Sequence, residues 1–150
     1  MLYTHIVLAY DGSLEGRRAL HEGAELAAQF KAHAHLLAVI KHSAGVAIGQ
    51  GFEARGLAAA ETTRFQQTLD DGVAILKTFG IEASGHLVQG DPVQEIVRLA
   101  QATHADLVVV GHRNRGALAR WWRTPVSMSL IDKLNCSVLI GMLERFDADA

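Results

Sequence analysis

Asp106-Leu-Val-Val-Val-Gly-His112 is the stretch of sequence that decides the fold. Leu107 to Val110 are consecutive branched apolar residues, a pattern typical of a strand buried on both faces. The run stops at Gly111, where the chain opens into a loop. In open parallel sheets, ligands bind outside the carboxyl ends of the strands. The loop after Gly111 is therefore a candidate binding region, provided that the rest of the chain builds such a sheet.

Short apolar runs of the same kind recur along the chain, and each ends at polar or glycine-containing sequence. They predict five strands, at residues 5–9, 34–40, 82–89, 107–110 and 137–140. The third run is the least apolar, which is typical of a strand at the edge of a sheet. Helical spacing of apolar residues between the runs predicts four helices, at residues 14–31, after 56 up to Gly80, from Pro92 and at about 125–134. Residues 43–56, with four glycines, predict a mobile loop.

The third helix has the clearest start signal, Gly90-Asp91-Pro92. Asp91 can accept hydrogen bonds from free amides of the first turn, and Pro92 suits the first helical position. Glu95 favours the positive end of the helix dipole. Regular alternation of strands and helices predicts an α/β fold, a doubly wound parallel sheet with helices on both faces, in a single domain over residues 1–150.

The net charge and cysteine content of the chain argue against some classes of partner and covalent link. A formal net charge of −2 and a pI near 6.4 provide no general attraction to phosphate backbones or acidic membranes. We therefore expect neither a nucleic-acid partner nor a membrane partner. One cysteine, Cys136, excludes an intramolecular disulfide and fits a reducing cytoplasm. The sequence shows no charged leader and no apolar run long enough to span a bilayer.

Four features together resemble the universal stress protein family. They are the first strand entering Tyr10-Asp11-Gly-Ser13, the Gly90-Asp91-Pro92 turn, the block at residues 106–112, and a last strand after Cys136-Ser137. The resemblance implies a five-stranded parallel sheet in the order 3-2-1-4-5. It also implies a cytoplasmic, non-enzymatic homodimer with a stress-response or regulatory role, paired through the edge strand at residues 138–142. Weak ATP hydrolysis is left open.

Members of this family that bind ATP have a Gly, two residues, Gly, nine residues, then Gly followed by Ser or Thr. Glycines in such a loop let backbone amides approach phosphates. Here Gly111 fills the first place, but Asn114, Thr124 and Pro125 fill the others. Thr124 tolerates a left-handed backbone poorly, and Pro125 has no amide to donate. The resemblance is therefore closer to the branch that lacks the full ATP motif.

The resemblance also implies a pocket for the adenosine part of ATP or AMP, although no cofactor is certain. Asp11 can accept a ribose hydroxyl there, or can instead be a turn residue that bonds its own backbone. The residues implied at this pocket are Ala9, Asp11, Val39, Val110, Gly111, Asn114 and Val126. No catalytic residue and no metal ligand is assigned.

The loop after Gly111 leaves two further hypotheses open. Arg113, Arg115 or Arg123 can replace the missing glycine amides as phosphate donors. Alternatively, the loop arginines form a solvated surface, and Trp121 or Trp122 covers the sheet or a partner. An adaptor role is the other alternative, in which this loop or residues 43–56 dock a partner protein. His33 and His35 lie two apart, but no histidine pair has the helical spacing of a zinc hydrolase.

Overall fold

The computed structural model describes residues 2–12, 14–40, 51–111 and 132–141, and for residues 14–15 and 51–58 it describes the backbone alone. Up to residue 111, strands and helices alternate as the sequence predicts. In chain order the elements are β1 (His5–Ala9), α1 (Leu14–Phe30), β2 (His33–Ile40), α2 (Gly51–Thr78), β3 (Ala83–Gln89), α3 (Pro92–Thr103), β4 (Leu107–Gly111) and β5 (Ser137–Gly141). No helix in the described ranges is long and apolar enough to cross a membrane.

All five strands form one parallel sheet in the order β3-β2-β1-β4-β5. This confirms the predicted fold class and strand order. The next two strands, β2 and β3, are added on one side of β1, and the last two, β4 and β5, on the other. The direction of winding therefore reverses between β1 and β4, and in such sheets the reversal opens a crevice at the carboxyl ends of the two central strands. Gly111 lies at this edge of the sheet.

The two faces of the sheet have separate cores, because side chains alternate along each strand. On the first face, α1 and α2 cover Leu8, Leu36 and Val109 with a large apolar cluster. On the second face, α3 covers Val7, Leu37 and Val108 with a smaller one. Helices on both faces confirm the three-layer architecture.

Gly23 shows how closely α1 packs on the sheet. A Cβ atom added there would overlap Cδ2 of Leu8. Since real Cβ atoms never overlap other atoms in this way, the lack of a side chain at this position is what lets α1 approach β1. Gly80, predicted to stop the second helix, has φ +74 and follows the last residue of α2 by two. That prediction is confirmed.

The predicted loop at residues 43–56 is wrong in its second half, because α2 already begins at Gly51. Glycines at 51 and 56 suggested an irregular segment. The residues that follow them, Leu57-Ala-Ala-Ala-Glu61, are strong helix formers, and helix propagation extends from such a segment toward its amino end. Residues 43–50 lie outside the described ranges, as does nearly all of the fourth helix predicted at 125–134.

Candidate functional site

The chain leaves β1 through Tyr10-Asp11-Gly12 at the carboxyl end of the sheet. The Tyr10 amide donates to the Leu37 carbonyl at 2.9 Å, which continues the β1–β2 pairing past the end of the strand. Gly12 has φ +82, a left-handed conformation that favours glycine. A Cβ atom there would also lie 2.9 Å from Cγ2 of Thr68. Asp11 is half-buried. It lies on a turn that is fixed before it by the Tyr10 hydrogen bond and after it by the conformation and close packing of Gly12.

Three of the apolar residues predicted for the pocket come together on the second face of the sheet. Val110 is fully buried in the α3 cluster, and Ala9 and Val39 pack partly exposed at its edge. They come from β4, β1 and β2, which are neighbours in the sheet. Gly111 is buried beside Gly141 of β5. The described residues thus assemble an apolar floor at the strand ends, with Asp11 at its border.

The phosphate side of the predicted site falls outside the described residues. Asn114 and Val126 belong to it, as do Thr124 and Pro125 of the degenerate glycine motif. The arginine and tryptophan residues of the same loop also lie outside. Their assignments stay predictions.

The amino end of α3 lies at the same edge of the sheet as the candidate pocket. The Gly90 amide donates to the Ile40 carbonyl at 3.0 Å, joining the β3 exit to the β2 exit. The Asp91 carboxylate accepts from the Gln94 amide at 3.0 Å, so the predicted helix cap is confirmed. Glu95 is buried and accepts from Arg98 at 2.8 Å. These contacts fix the helix start relative to the strand ends.

Four histidines form a cluster that sequence reasoning did not find, on the second face toward the amino ends of β1, β2 and β3. We call His5, His33, His35 and His86 the histidine cluster. The His33 and His35 rings stack with centroids 4.3 Å apart and planes 14° apart. His5 lies 5.5 Å from His35 on one side, and His86 lies 5.7 Å from it on the other. Strand alternation placed His33 and His35 together, but only the register with β1 and β3 adds His5 and His86.

Hydrogen bonding inside the histidine cluster is incomplete. His5 Nδ1 and His35 Nε2 lie 3.3 Å apart, so one of the two nitrogens donates to the other. His33 Nε2 bonds Oγ of Ser84 at 2.8 Å, and His33 Nδ1 lies 3.2 Å from Oε2 of Glu82. Among the residues that the structure describes, His35 Nδ1 and His86 Nε2 are buried without a hydrogen-bond partner. Two buried nitrogens with no partner mark this cluster as a costly arrangement.

The surroundings of His35 and His86 favour the neutral forms of these two rings. Burial, followed by the neighbouring rings of His33, His86 and His5, lowers the pKa of His35 from 6.5 to about 4. Burial and His33 also lower the pKa of His86. Two positive rings at the His33–His35 separation would repel by about 4 kcal/mol at an effective dielectric constant of about 20. No group of three histidine, cysteine or acidic side chains in the described ranges has metal-ligand geometry.

A cavity of about 720 Å³ lies at the opposite end of the sheet from the candidate pocket, bordered by Tyr3, Asp106 and Cys136. Asp106 accepts from the Thr4 amide and hydroxyl, both at 2.8 Å, and from the His5 amide at 3.2 Å. Burial raises the pKa of this carboxyl, but these hydrogen bonds outweigh burial and hold the pKa below its usual value. Burial, with the charge of Asp106, raises the pKa of the Cys136 thiol. A protonated thiol and a fully bonded carboxylate make this cavity a structural feature rather than a reactive site.

A doubly wound sheet with an apolar floor and an acidic residue at its switch point defines a class of small α/β proteins with a ligand crevice at the strand ends. Within that class, the chain matches the universal stress protein family over residues 2–140 and belongs to it. A universal stress protein of Thermus aquaticus is 31% identical over 145 residues, covering 93% of this chain and 98% of that protein. A solved family member from Burkholderia pseudomallei is 26% identical with a TM-score of 0.72, covering 93% of this chain and 96% of that one.

Nucleotides are bound in several more distant solved structures of the family. One from Arabidopsis thaliana has AMP bound, and it is 18% identical with a TM-score of 0.68, covering 97% of this chain and 94% of that one. Others are complexes with cAMP and dAMP. At these identities the likeness shows a shared fold, so the ligands are properties of those proteins.

Proposed function

We propose that this chain is a non-enzymatic, cytoplasmic stress-response or regulatory protein that acts as a homodimer. Its crevice binds an adenine nucleotide chiefly through the adenosine part, and a monophosphate suffices. The observation on which the proposal rests is the joining of Ala9, Val39 and Val110 into one apolar floor beside Asp11. Adenine is flat and largely apolar, and a ribose hydroxyl can donate to a carboxylate.

The sequence of the loop after Gly111 favours binding of a nucleotide mainly through its nucleoside part. Gly111 keeps the first position of the phosphate motif, whereas Thr124 and Pro125 replace the residues whose backbone would hold a triphosphate. Asn114 and Val126 complete the proposed pocket. AMP, cAMP and dAMP in other family members agree with a ligand whose constant part is adenosine.

Calorimetric titration with adenosine, AMP, ADP and ATP in magnesium buffer tests this function. We expect AMP to bind, and we expect ATP to bind less than threefold more tightly than AMP, because the glycine motif that would bind the additional phosphates is incomplete. Asp11→Asn should weaken AMP binding on the order of tenfold, the loss of one hydrogen bond to a charged group. Asp71→Asn, at an exposed site on α2, is the matched control. ATP binding more than tenfold tighter than AMP would show a working phosphate cradle and contradict the proposal.

The homodimer is proposed through the edge strand predicted at residues 138–142, of which 138–141 lie within β5. β5 pairs with β4 on one side and is the last of the described strands in the sheet. Ile140 is 39% exposed on it, and an open apolar edge strand favours pairing with a second copy. Ile140→Lys should convert the dimer to monomer in multi-angle light scattering, while Gln89→Lys on the opposite edge strand should not. A monomeric wild-type protein would overturn this part of the proposal.

Docking of a protein partner through the arginine and tryptophan loop stays a prediction. The cytoplasmic location likewise belongs to the proposal, and cell fractionation tests it.

A further inference from the structure

The histidine cluster has a composition that the nucleotide site does not explain. Its four rings span three adjacent strands, β1, β2 and β3, and lie away from the strand ends that form the pocket. His35, at its centre, is 8% exposed and has rings on both sides. A sheet needs only apolar side chains at such positions, and imidazoles there leave two nitrogens without partners.

We propose that the histidine cluster is an acid-sensitive device that loosens the β2–β3 side of the sheet when His35 and His86 take up protons. Histidine is the side chain whose charge changes most readily between pH 5 and 8. The His35 ring on β2 and the His86 ring on β3 have centroids 5.7 Å apart, and among the described strands β3 is an edge strand with a neighbour on one side. Repulsion between these two rings, once protonated, is therefore relieved by separating β3 from β2.

The charged groups around the cluster provide little compensation for added protons. Glu82, just before β3, contacts His33, but its side chain is 85% exposed. Asp106, before β4, directs its oxygens to the backbone amides of Thr4 and His5 and to the Thr4 hydroxyl. Among the described residues, one exposed carboxylate thus contacts the four rings.

The helix and the strand that pack on the same face add no further compensation. On α3, Glu95 is paired with Arg98 at the far end near Gly90. The remaining buried residues of α3 and β4 on this face are apolar: Val93, Ile96, Val97, Ala100, Val108 and Val110. A second proton in the cluster would therefore be surrounded by other imidazoles and apolar side chains, with no further negative charge from α3 or β4 to compensate it.

The sign of the pH effect follows from the lowered pKa values of His35 and His86. The unfolded chain binds protons at these histidines below about pH 6.5, whereas the folded chain binds them at His35 only near pH 4. Stability is therefore fully present above about pH 6.5 and decreases as the pH falls toward 4. A shift of this size at His35 corresponds to an increase in the unfolding equilibrium constant on the order of a hundredfold.

Urea unfolding between pH 7.5 and 4.5, with EDTA present to remove metals, tests the device on the full chain. His35→Phe keeps a ring for stacking. We expect the acid-induced increase in its unfolding constant to be at least tenfold smaller than that of the wild type. His86→Phe should remove a smaller part. His21→Phe is the matched control, because His21 is an exposed histidine outside the cluster that contacts the Phe79 ring edge-on. It should retain the full increase.

Two further measurements apply to the wild-type protein and do not depend on a variant that folds. The His35 ring resonance should stay that of a neutral imidazole down to about pH 5 by NMR. Amide exchange, corrected for intrinsic rates, should lose tenfold more protection in residues 83–89 than in residues 107–111 at pH 5. An equal acid response in His35→Phe, a His35 ring that titrates above pH 6, or uniform loss of protection would each overturn the proposal.

Discussion

The two faces of the sheet differ in what their buried positions contain. Along β2, Ala34, Leu36 and Ala38 enter the first face, which α1 and α2 fill with apolar side chains. The alternate positions His33 and His35 enter the second face, where α3 covers only part of the sheet. One strand thus contributes both to a closed apolar core and to a layer with titratable groups. The difference indicates that the first face supplies most of the apolar packing, while the second holds the floor of the proposed pocket and the histidine cluster proposed to respond to acid.

The largest effect that this comparison predicts is on the first face. Leu36→Ala should lower the free energy of unfolding by about 3 kcal/mol, because Leu36 is 0% exposed and its removal leaves a cavity between β2 and α2. Equilibrium urea unfolding at pH 7.5 measures the loss. Leu2→Ala, at a residue 69% exposed, is the control and should change stability by less than about 0.5 kcal/mol.

A loss below about 1 kcal/mol for Leu36→Ala would contradict the division between the faces. It would mean that α2 collapses onto the vacated space, so that the first core is no more tightly constrained than the second. The pH dependence of this variant sharpens the comparison further. Because Leu36 points away from the histidine cluster, its acid-induced change in the unfolding constant should match that of the wild type.

The sequence predicts the features that depend on local signals. Asp91-Pro92 specifies the start of α3 by itself, since the capping contact joins residues three apart. The apolar run of β4 and the stop at Gly80 are local in the same way. Strand order came from the family resemblance, because periodicity alone does not reveal which strands pair.

Features that depend on register were not predicted. His5 and His35 are 30 residues apart, and His86 is 51 residues beyond His35, so their contact follows only from the pairing of β1, β2 and β3. The early start of α2 was missed because glycine content outweighed the helix formers that follow. For the pocket, the structure brings together the residues on strands, while Asn114 and Val126 lie outside the described ranges.

The smallest predicted effect concerns α3, the helix that covers the second face. Asp91→Ala should lower the free energy of unfolding by about 1 kcal/mol, the usual cost of a lost amino-terminal cap. Asp91→Asn is the matched variant, because its amide oxygen can still accept from Gln94, and it should stay within about 0.3 kcal/mol of the wild type. Urea unfolding at pH 7.5 distinguishes the two. Equal losses in both variants would show that the carboxylate charge at the helix dipole, rather than the hydrogen bond, holds α3 against the second face.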